Sequence, residues 1–472
     1  MEFNSIEFLL FLPLVMLVFF LSPQRWRWIV LLLASYWFYM AWVPKFAILI
    51  VLTTTIDYLV ARKIHSLSDD KLRKRYLILS IIANLGILIH FKYNDFFIEN
   101  INEMILGLGG RSQIPLLKLV LPMGISFYTF QEMAYTIDVY RKRLEPERHF
   151  GYFALYVTYF PQLVAGPIER AEHLLGQFRK KVSLTYENLS WGVKQIIWGF
   201  FKKVVIADRL AEVVDQVYNN PAQYDGLSFI FASYLFAVQI YCDFSGYSDI
   251  AIGTSRIFGI KLMDNFNVPY LAKSFGEFWR KWHISLSGWF KDYLYIPLGG
   301  KNVKKGRWLF NIFIVFLVSG FWHGAAWTYV IWGALHGLYL VTENAFGIKP
   351  TEGRSSAWET LGRRFIVFNL VVFAWIFFRA NTVEDSFYIV SHLHQWDLSV
   401  FMDLLRDGSY LKSLFILALV TGFVVADARL DKLVKTNPLR PYWESQLFFS
   451  FITALILIFG YFGEAQFIYF QF

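Results

Sequence analysis

The 472-residue sequence holds a single cysteine, Cys242, so it forms no internal disulfide and no multi-cysteine metal site. Charge is sparse as well: Asp, Glu, Lys and Arg make up 17% of the chain, against about a quarter in an ordinary soluble domain. There is no G-x-x-x-x-G-K-[ST] phosphate loop, no H-E-x-x-H, no C-x-x-C pair and no G-x-S-x-G elbow. These absences remove support for a built-in ATPase, a zinc protease and a standard serine hydrolase, and leave no metal site to assign. A cleavable leader also lacks its marks. Glu2 and Glu7 stand where a basic segment belongs, and no small-x-small site follows the first apolar run, which therefore reads as an anchor.

What the chain has instead is apolar and aromatic mass, 56% and 20% of its residues. Apolar runs recur from end to end, as in one polytopic membrane domain over 1–472, embedded in a lipid bilayer. About 20 helical residues cross a bilayer core. The candidate spans are Ile6–Leu21, Trp28–Trp42, Phe46–Ala61, Tyr76–Phe91, Leu116–Tyr135, Trp191–Ile206, Phe229–Tyr241, Trp308–Phe321, Thr328–Thr342, Phe365–Phe378, Leu411–Val425 and Leu447–Tyr461. Phe150–Val164 and Ser248–Ile260 read as further buried segments. The expected fold is all-α, with about ten to twelve membrane helices plus interfacial or re-entrant ones.

The formal charge of +9 sits in short clusters between apolar runs, which points to membrane topology and not to nucleic acid. Arg25 and Arg27, the Arg62–Arg75 cluster and the Arg141–Arg148 cluster occupy alternate loops. All can be cytoplasmic together, which places the N-terminus outside the cytoplasm; the Lys301–Arg307 loop joins the cytoplasmic side. Two stretches look interfacial. Phe97, Ile101, Met104 and Leu108 repeat at helical spacing in a segment too short to span. Phe275–Tyr293 reads as one amphipathic helix with Arg280, His283 and Ser287 on its polar face. Ile348–Arg364 reads as a loop.

Histidine in apolar surroundings carries the chemistry. His323, in SGFWHGAAW, lies 15 residues beyond Trp308, about 22 Å along a helix, at a depth where ionisable groups face a cavity or a partner. Neutral imidazole is suited to take a proton near pH 7. The flanking Gly320 and Gly324 allow close approach of a substrate or another helix. A histidine that merely bonds a neighbouring helix is the other reading. On spacing alone His283 reads as solvated or interfacial, and His336 as helix packing. His65, His90, His149 and His173 carry no role. Asp243 and Asp249, in YCDFSGYSD, either orient a histidine or serve as a cap or buried anchor.

FWRKWHISLSGWFKDYLYIPLGG (Phe278–Gly300) resembles the membrane-bound O-acyltransferase (MBOAT) family, and within it the alginate O-acetyltransferase branch. So do LPMGISFYTFQEMAYTIDVYR (Leu121–Arg141), YFPQLVAGPIER (Tyr159–Arg170), YCDFSGYSDIAIG (Tyr241–Gly253), SGFWHGAAWTYVIWGALHG (Ser319–Gly337) and WIFFRA (Trp375–Ala380). The core of the resemblance spans about 116–380; nothing after Ala380 is carried over. It implies tilted helices around a thin central tunnel, reached by an acyl thioester from the cytoplasm. The family's invariant catalytic histidine falls on His323. Its second polar position, a histidine in this branch and often Asn or Asp elsewhere, falls on His283.

In that reading His323 is the general base and His283 orients or polarises the thioester carbonyl. Arg280 and Lys281, or the Lys301–Arg307 cluster, attract the phosphates of coenzyme A. Trp282, Ser287, Trp322, Asp243 and His336 are further candidates for substrate binding. No cofactor is held tightly; acetyl-coenzyme A is the expected donor. The branch implies an exported SGNH-hydrolase-like partner that completes transfer to a polysaccharide outside the cytoplasm, with the chain in the bacterial inner membrane. Peptidoglycan or teichoic acid is the alternative acceptor. A transporter or flippase with a histidine proton relay, and a non-catalytic scaffold, are the rival classes.

Overall fold

Backbone at lipid depth must satisfy its own hydrogen bonds, and this chain does so with helices. A computed structural model describes residues 1–348, 356–407, 442–463 and 467–468, with two isolated positions, 418 and 422. No strand occurs among the described residues. Five of their helical stretches are long and apolar enough to cross a bilayer: Pro44–Ser66, Asp70–Gly107, Gly226–Ile257, Lys305–His323 and Ala357–Arg379. Ile6–Leu21 and Gln446–Phe459 are shorter apolar helices. The chain is a multi-pass membrane protein. The expected span Leu411–Val425 lies outside the described residues except for 418 and 422.

The residues fall into two compact units, one of 1–192 with 251–263, the other of 193–250 with 264–472. The first holds α1 (Ile6–Leu21), α2 (Arg27–Met40), α3 (Ala47–Ser66), α4 (Asp70–Leu88), α5 (Asn94–Gly107), α6 (Ile125–Tyr140), α7 (Phe150–Thr158) and α8 (Ala171–Leu174). The run that sets α1 has the bounds expected of it. A buried polar ladder ties α3, α4 and α6 together. Thr53 and Thr54 donate to Glu132 (3.2 and 2.9 Å), while Asn84 (2.6 Å), Thr136 (3.1 Å) and Ser80 donate to Asp57. Polar groups inside a membrane protein survive by pairing in this way.

Two expectations fail in this unit. The Phe97–Leu108 stretch does not stand apart as a helix of its own. A π-helical turn, Ile89–Tyr93, joins α4 to α5 without a break, because no proline or glycine intervenes. Leu116–Tyr135 is not one span. Pro122 disfavours helix before it, and Gly124 caps α6 in the left-handed region at φ 72°. The preceding stretch is not helical, and the N–H groups of Leu117 and Lys118 both donate to Asp95 at 2.8 Å.

Helix α9 (Tyr186–Phe200) runs through a π-helical segment, Phe201–Ala207, into α10 (Asp208–Asn219). Helix α11 (Gly226–Ile257) replaces the two expected segments Phe229–Tyr241 and Ser248–Ile260 with a single helix. The polar residues that seemed to interrupt it are neutralised from the side. Lys203 pairs with Asp243 (2.7 Å) and Asp208 (2.9 Å), and Lys202 with Asp249 (2.9 Å).

The second unit continues with α12 (Phe275–Lys281), α13 (Ile284–Phe290), α14 (Lys305–His323), α15 (Trp327–Ala345), α16 (Ala357–Arg379), α17 (Val383–His392), α18 (Leu398–Asp407) and α19 (Tyr442–Phe459). Helix α16 starts inside the stretch expected to be a loop, with Ser356 accepting from the Glu359 N–H at 3.1 Å as its N-cap. Helices α14 and α15 form an antiparallel hairpin that closes on two glycines. A Cβ on Gly320 would sit 2.9 Å from the Gly333 Cα and closer still to the Tyr329 carbonyl oxygen. Gly333→Val therefore forces the hairpin apart and is expected to cost about 1–3 kcal/mol or more. A lower thermal midpoint and lower yield of detergent-extracted protein are the readouts; unchanged values would show that the hairpin has slack.

Candidate active site

His283 does not lie on one continuous amphipathic helix. It is the link between α12 and α13, with φ 43° and ψ 57°. Left-handed backbone costs a non-glycine residue roughly 1–2 kcal/mol and persists only where the surroundings impose it. Asn265 is the imposing residue. Its carbonyl accepts from the Ile284 N–H (2.9 Å), and its side-chain oxygen accepts from the Ser285 hydroxyl (2.7 Å) and N–H (3.3 Å). The N–H of Asn267 adds a bond to the Lys281 carbonyl at 2.9 Å. The break rotates the imidazole out of the expected polar face and inward, so that His283 is 0% exposed, not solvated. Its ring stands edge-on to Phe244 at 4.6 Å. Burial pushes the imidazole down to about 3, so the ring is neutral at physiological pH.

His323 is the last residue of α14; Gly324 is already extended. Its buried ring touches Trp322 (4.9 Å), Trp332 (4.9 Å) and Phe378 (5.6 Å). Trp322 also meets His283 at 6.2 Å. One indole thus lies against both histidines, which are forty residues apart in sequence. His336, on α15, extends the set. It contacts Trp332 at 5.0 Å and accepts a hydrogen bond from Trp279 Nε1 on its Nδ1 at 3.3 Å. Trp282 is fully buried and packs on Trp375 at 5.2 Å, as part of the wall.

A cavity of about 310 Å³ lies beside this cluster, walled by Trp279, Leu286, Phe290, Val315 and Phe316 among others. Ser287 and Ser319 line it too, each one helical turn from a candidate histidine, and Arg280 and Lys291 are its cationic residues. Lys281 points elsewhere, into an ion pair with Glu277 at 2.7 Å. Asp243 does not reach the histidines either. It holds Lys203 and accepts the Ile468 N–H at 2.9 Å, so it anchors α11 to the C-terminal segment. Asp249 is held by Lys202. No metal-ligating cluster occurs among the described residues.

Sequence reasoning missed Asn265, Phe244, Trp332, Trp375 and Phe378. For Trp332 a signal existed, since it lies one helical turn before His336. Nothing local marks Asn265, whose role is set by a residue twenty positions away. Asn265→Ala removes the acceptor of two bonds inside a buried turn and is expected to lower stability by about 1–3 kcal/mol. Acyl transfer should fall with it while the membrane-inserted level stays normal; a variant with wild-type activity and melting would remove Asn265 from the support of His283.

The sequence profile of the membrane-bound O-acyltransferase family matches residues 147–349, the stretch that carries both histidines. A probable alginate O-acetylase of Pseudomonas aeruginosa is 38% identical over 432 residues, 90% of this chain and 81% of that protein. The chain belongs to the membrane-bound O-acyltransferase family. A peptidoglycan O-acetyltransferase of Helicobacter pylori is 39% identical over 392 residues, 78% of this acyltransferase and 72% of the relative. A teichoic acid D-alanyltransferase of Bacillus subtilis is 29% identical over 271 residues, 54% and 68% of the two chains. The resemblance read in the six blocks is thus correct in family, and the membrane-bound O-acyltransferase is an enzyme.

Proposed function

We propose that this enzyme moves an acetyl group from acetyl-coenzyme A on the cytoplasmic side to O-acetylate a polysaccharide outside the cytoplasm, with alginate the favoured polymer. His323 is the general base and His283 orients the thioester carbonyl. The observation that carries this is the burial of both imidazoles among aromatic rings, with Trp322 in contact with each. A base in dry surroundings acts on a hydroxyl without competing water, and polar donors there are worth more than in solution.

The reaction balances simply. His323 takes the proton of the acceptor hydroxyl as its oxygen attacks the acyl carbon. The carbon–sulfur bond breaks, and the departing thiolate recovers the proton. The apolar cavity beside the aromatic rings suits the arm of the donor that leads to its acyl end, and Arg280 with Lys291 suits its phosphates. Lys281, engaged by Glu277, is the poorer candidate. Trp322 and Ser287 complete the donor seat, and Asp243 acts only as support.

The setting is the bacterial inner membrane with the N-terminus outside, as the basic loops favour. An exported SGNH-hydrolase-like partner completes transfer to the sugar, and the whole chain works as one domain. The names of the relatives support the polymer reading, alginate for one and peptidoglycan for another. Peptidoglycan is the second reading, favoured by an almost equal identity. The test is purified protein with its partner, radiolabelled acetyl-coenzyme A, and alginate or peptidoglycan in parallel. Label is expected in alginate. Label in peptidoglycan alone replaces the polymer, and failure to release coenzyme A with either polymer overturns the reading.

A further inference from the structure

Trp332, Trp375 and His336 are all 0% exposed and form one nest. Trp332 stacks on Trp375 with centroids 5.5 Å apart, and His336 lies 5.0 Å from the first and 6.4 Å from the second. Trp332 also stands edge-on to His323 at 4.9 Å. Neither indole Nε1 nor the His336 Nε2 has a hydrogen-bond partner among the described residues.

The three nitrogens share one polarity. An indole N–H only donates. His336 accepts from Trp279 on Nδ1, so Nδ1 carries the lone pair and the proton of the neutral ring sits on Nε2. The nest therefore holds three buried N–H donors and supplies none of them with an acceptor. Buried tryptophan N–H groups ordinarily find a partner, and leaving one without costs about 1–3 kcal/mol. Three such losses on rings in mutual contact, one of them against the ring of the proposed base, suit an oxygen brought by the substrate.

We propose that Trp332, Trp375 and His336 donate hydrogen bonds to the carbonyl oxygen of the acyl group in transfer. The proposal rests on the reading of His323 as general base and deepens it. As the acceptor oxygen bonds to the acyl carbon, the C=O π pair moves onto the carbonyl oxygen, and the donors hold the resulting oxyanion. Collapse restores the double bond and expels the thiolate, which takes the proton from His323. The donors are fixed before the charge appears, which is the condition for strong transition-state stabilisation.

Trp332→Phe and Trp375→Phe test the idea, because each keeps an aromatic ring and removes the N–H. In the purified enzyme with its partner, acetyl-coenzyme A and polymer, each is expected to lower kcat about 10²–10³-fold. KM for acetyl-coenzyme A should stay within about twofold, since the bond strengthens only as charge develops. His336→Gln, which retains an N–H donor, should keep more kcat than His336→Phe. A role in packing alone predicts near-normal kcat for the two tryptophan variants. That result, with His323→Ala inactive, overturns the donor assignment and leaves the base standing; an active His323→Ala removes the base instead. Should one tryptophan variant fail to fold, the other decides. Binding of the unreactive thioether S-ethyl-coenzyme A, which has no carbonyl, should be equal in wild type and variants; a loss there would also overturn the assignment.

Discussion

His323→Ala is expected to abolish acetyl transfer while the protein stays in the membrane at its normal level. The imidazole ends α14 and is held by the rings of Trp322, Trp332 and Phe378, so the alanine variant leaves a small cavity at the edge of a nest that three other rings keep in place. Removing a general base costs about 10²–10⁴-fold in rate. The imidazole is only 3% exposed, so the loss should fall at the upper end. Release of coenzyme A, measured with purified protein, is the direct readout. Full activity in a variant that extracts and melts normally would refute the assignment of His323.

His283→Ala should also disable the enzyme, by about 10²-fold, because the imidazole that orients the thioester is lost. Its ring is neutral from about pH 5 to 8, because burial holds its titration far below that range. Any limb in the pH–rate profile across this window must therefore come from another group, and its position should be the same in wild type and in the residual activity of His283→Ala. A limb that vanishes in the variant would mean that His283 titrates in the working enzyme, contrary to its enclosure. A rate close to wild type would take it out of the site altogether.

Much of this architecture could be read from the chain. Helix α1 has the expected bounds, α14 and α15 lie within a few residues of theirs, and the six aromatic-rich blocks named the family. The failures share a cause: hydropathy is local and the deciding contacts are not. The expected segments stopped at Tyr241 and resumed at Ser248, but lysines on the preceding π-helical segment neutralise Asp243 and Asp249 and α11 continues. The apolar period through Phe275–Tyr293 looked like one helix, because nothing near His283 shows that Asn265 will break it there. His283 looked wet for the same reason. Trp375 gave no sign in the sequence and Trp332 only its spacing to His336, since an aromatic in an apolar run is ordinarily packing; their N–H groups, left without acceptors among the described residues, set them apart in the structure.

The left-handed turn at His283 also bears on what evolution can place there. Few side chains tolerate that backbone, and histidine, asparagine and aspartate lead the non-glycine residues that do. Those are the three that the resemblance implies for its second polar position. Conformation screens the candidates before chemistry selects among them, so the loop can exchange an imidazole for an amide or a carboxylate without being rebuilt. The diversity of acceptors across related enzymes then needs no new scaffold at this point, only a different member of a very short menu.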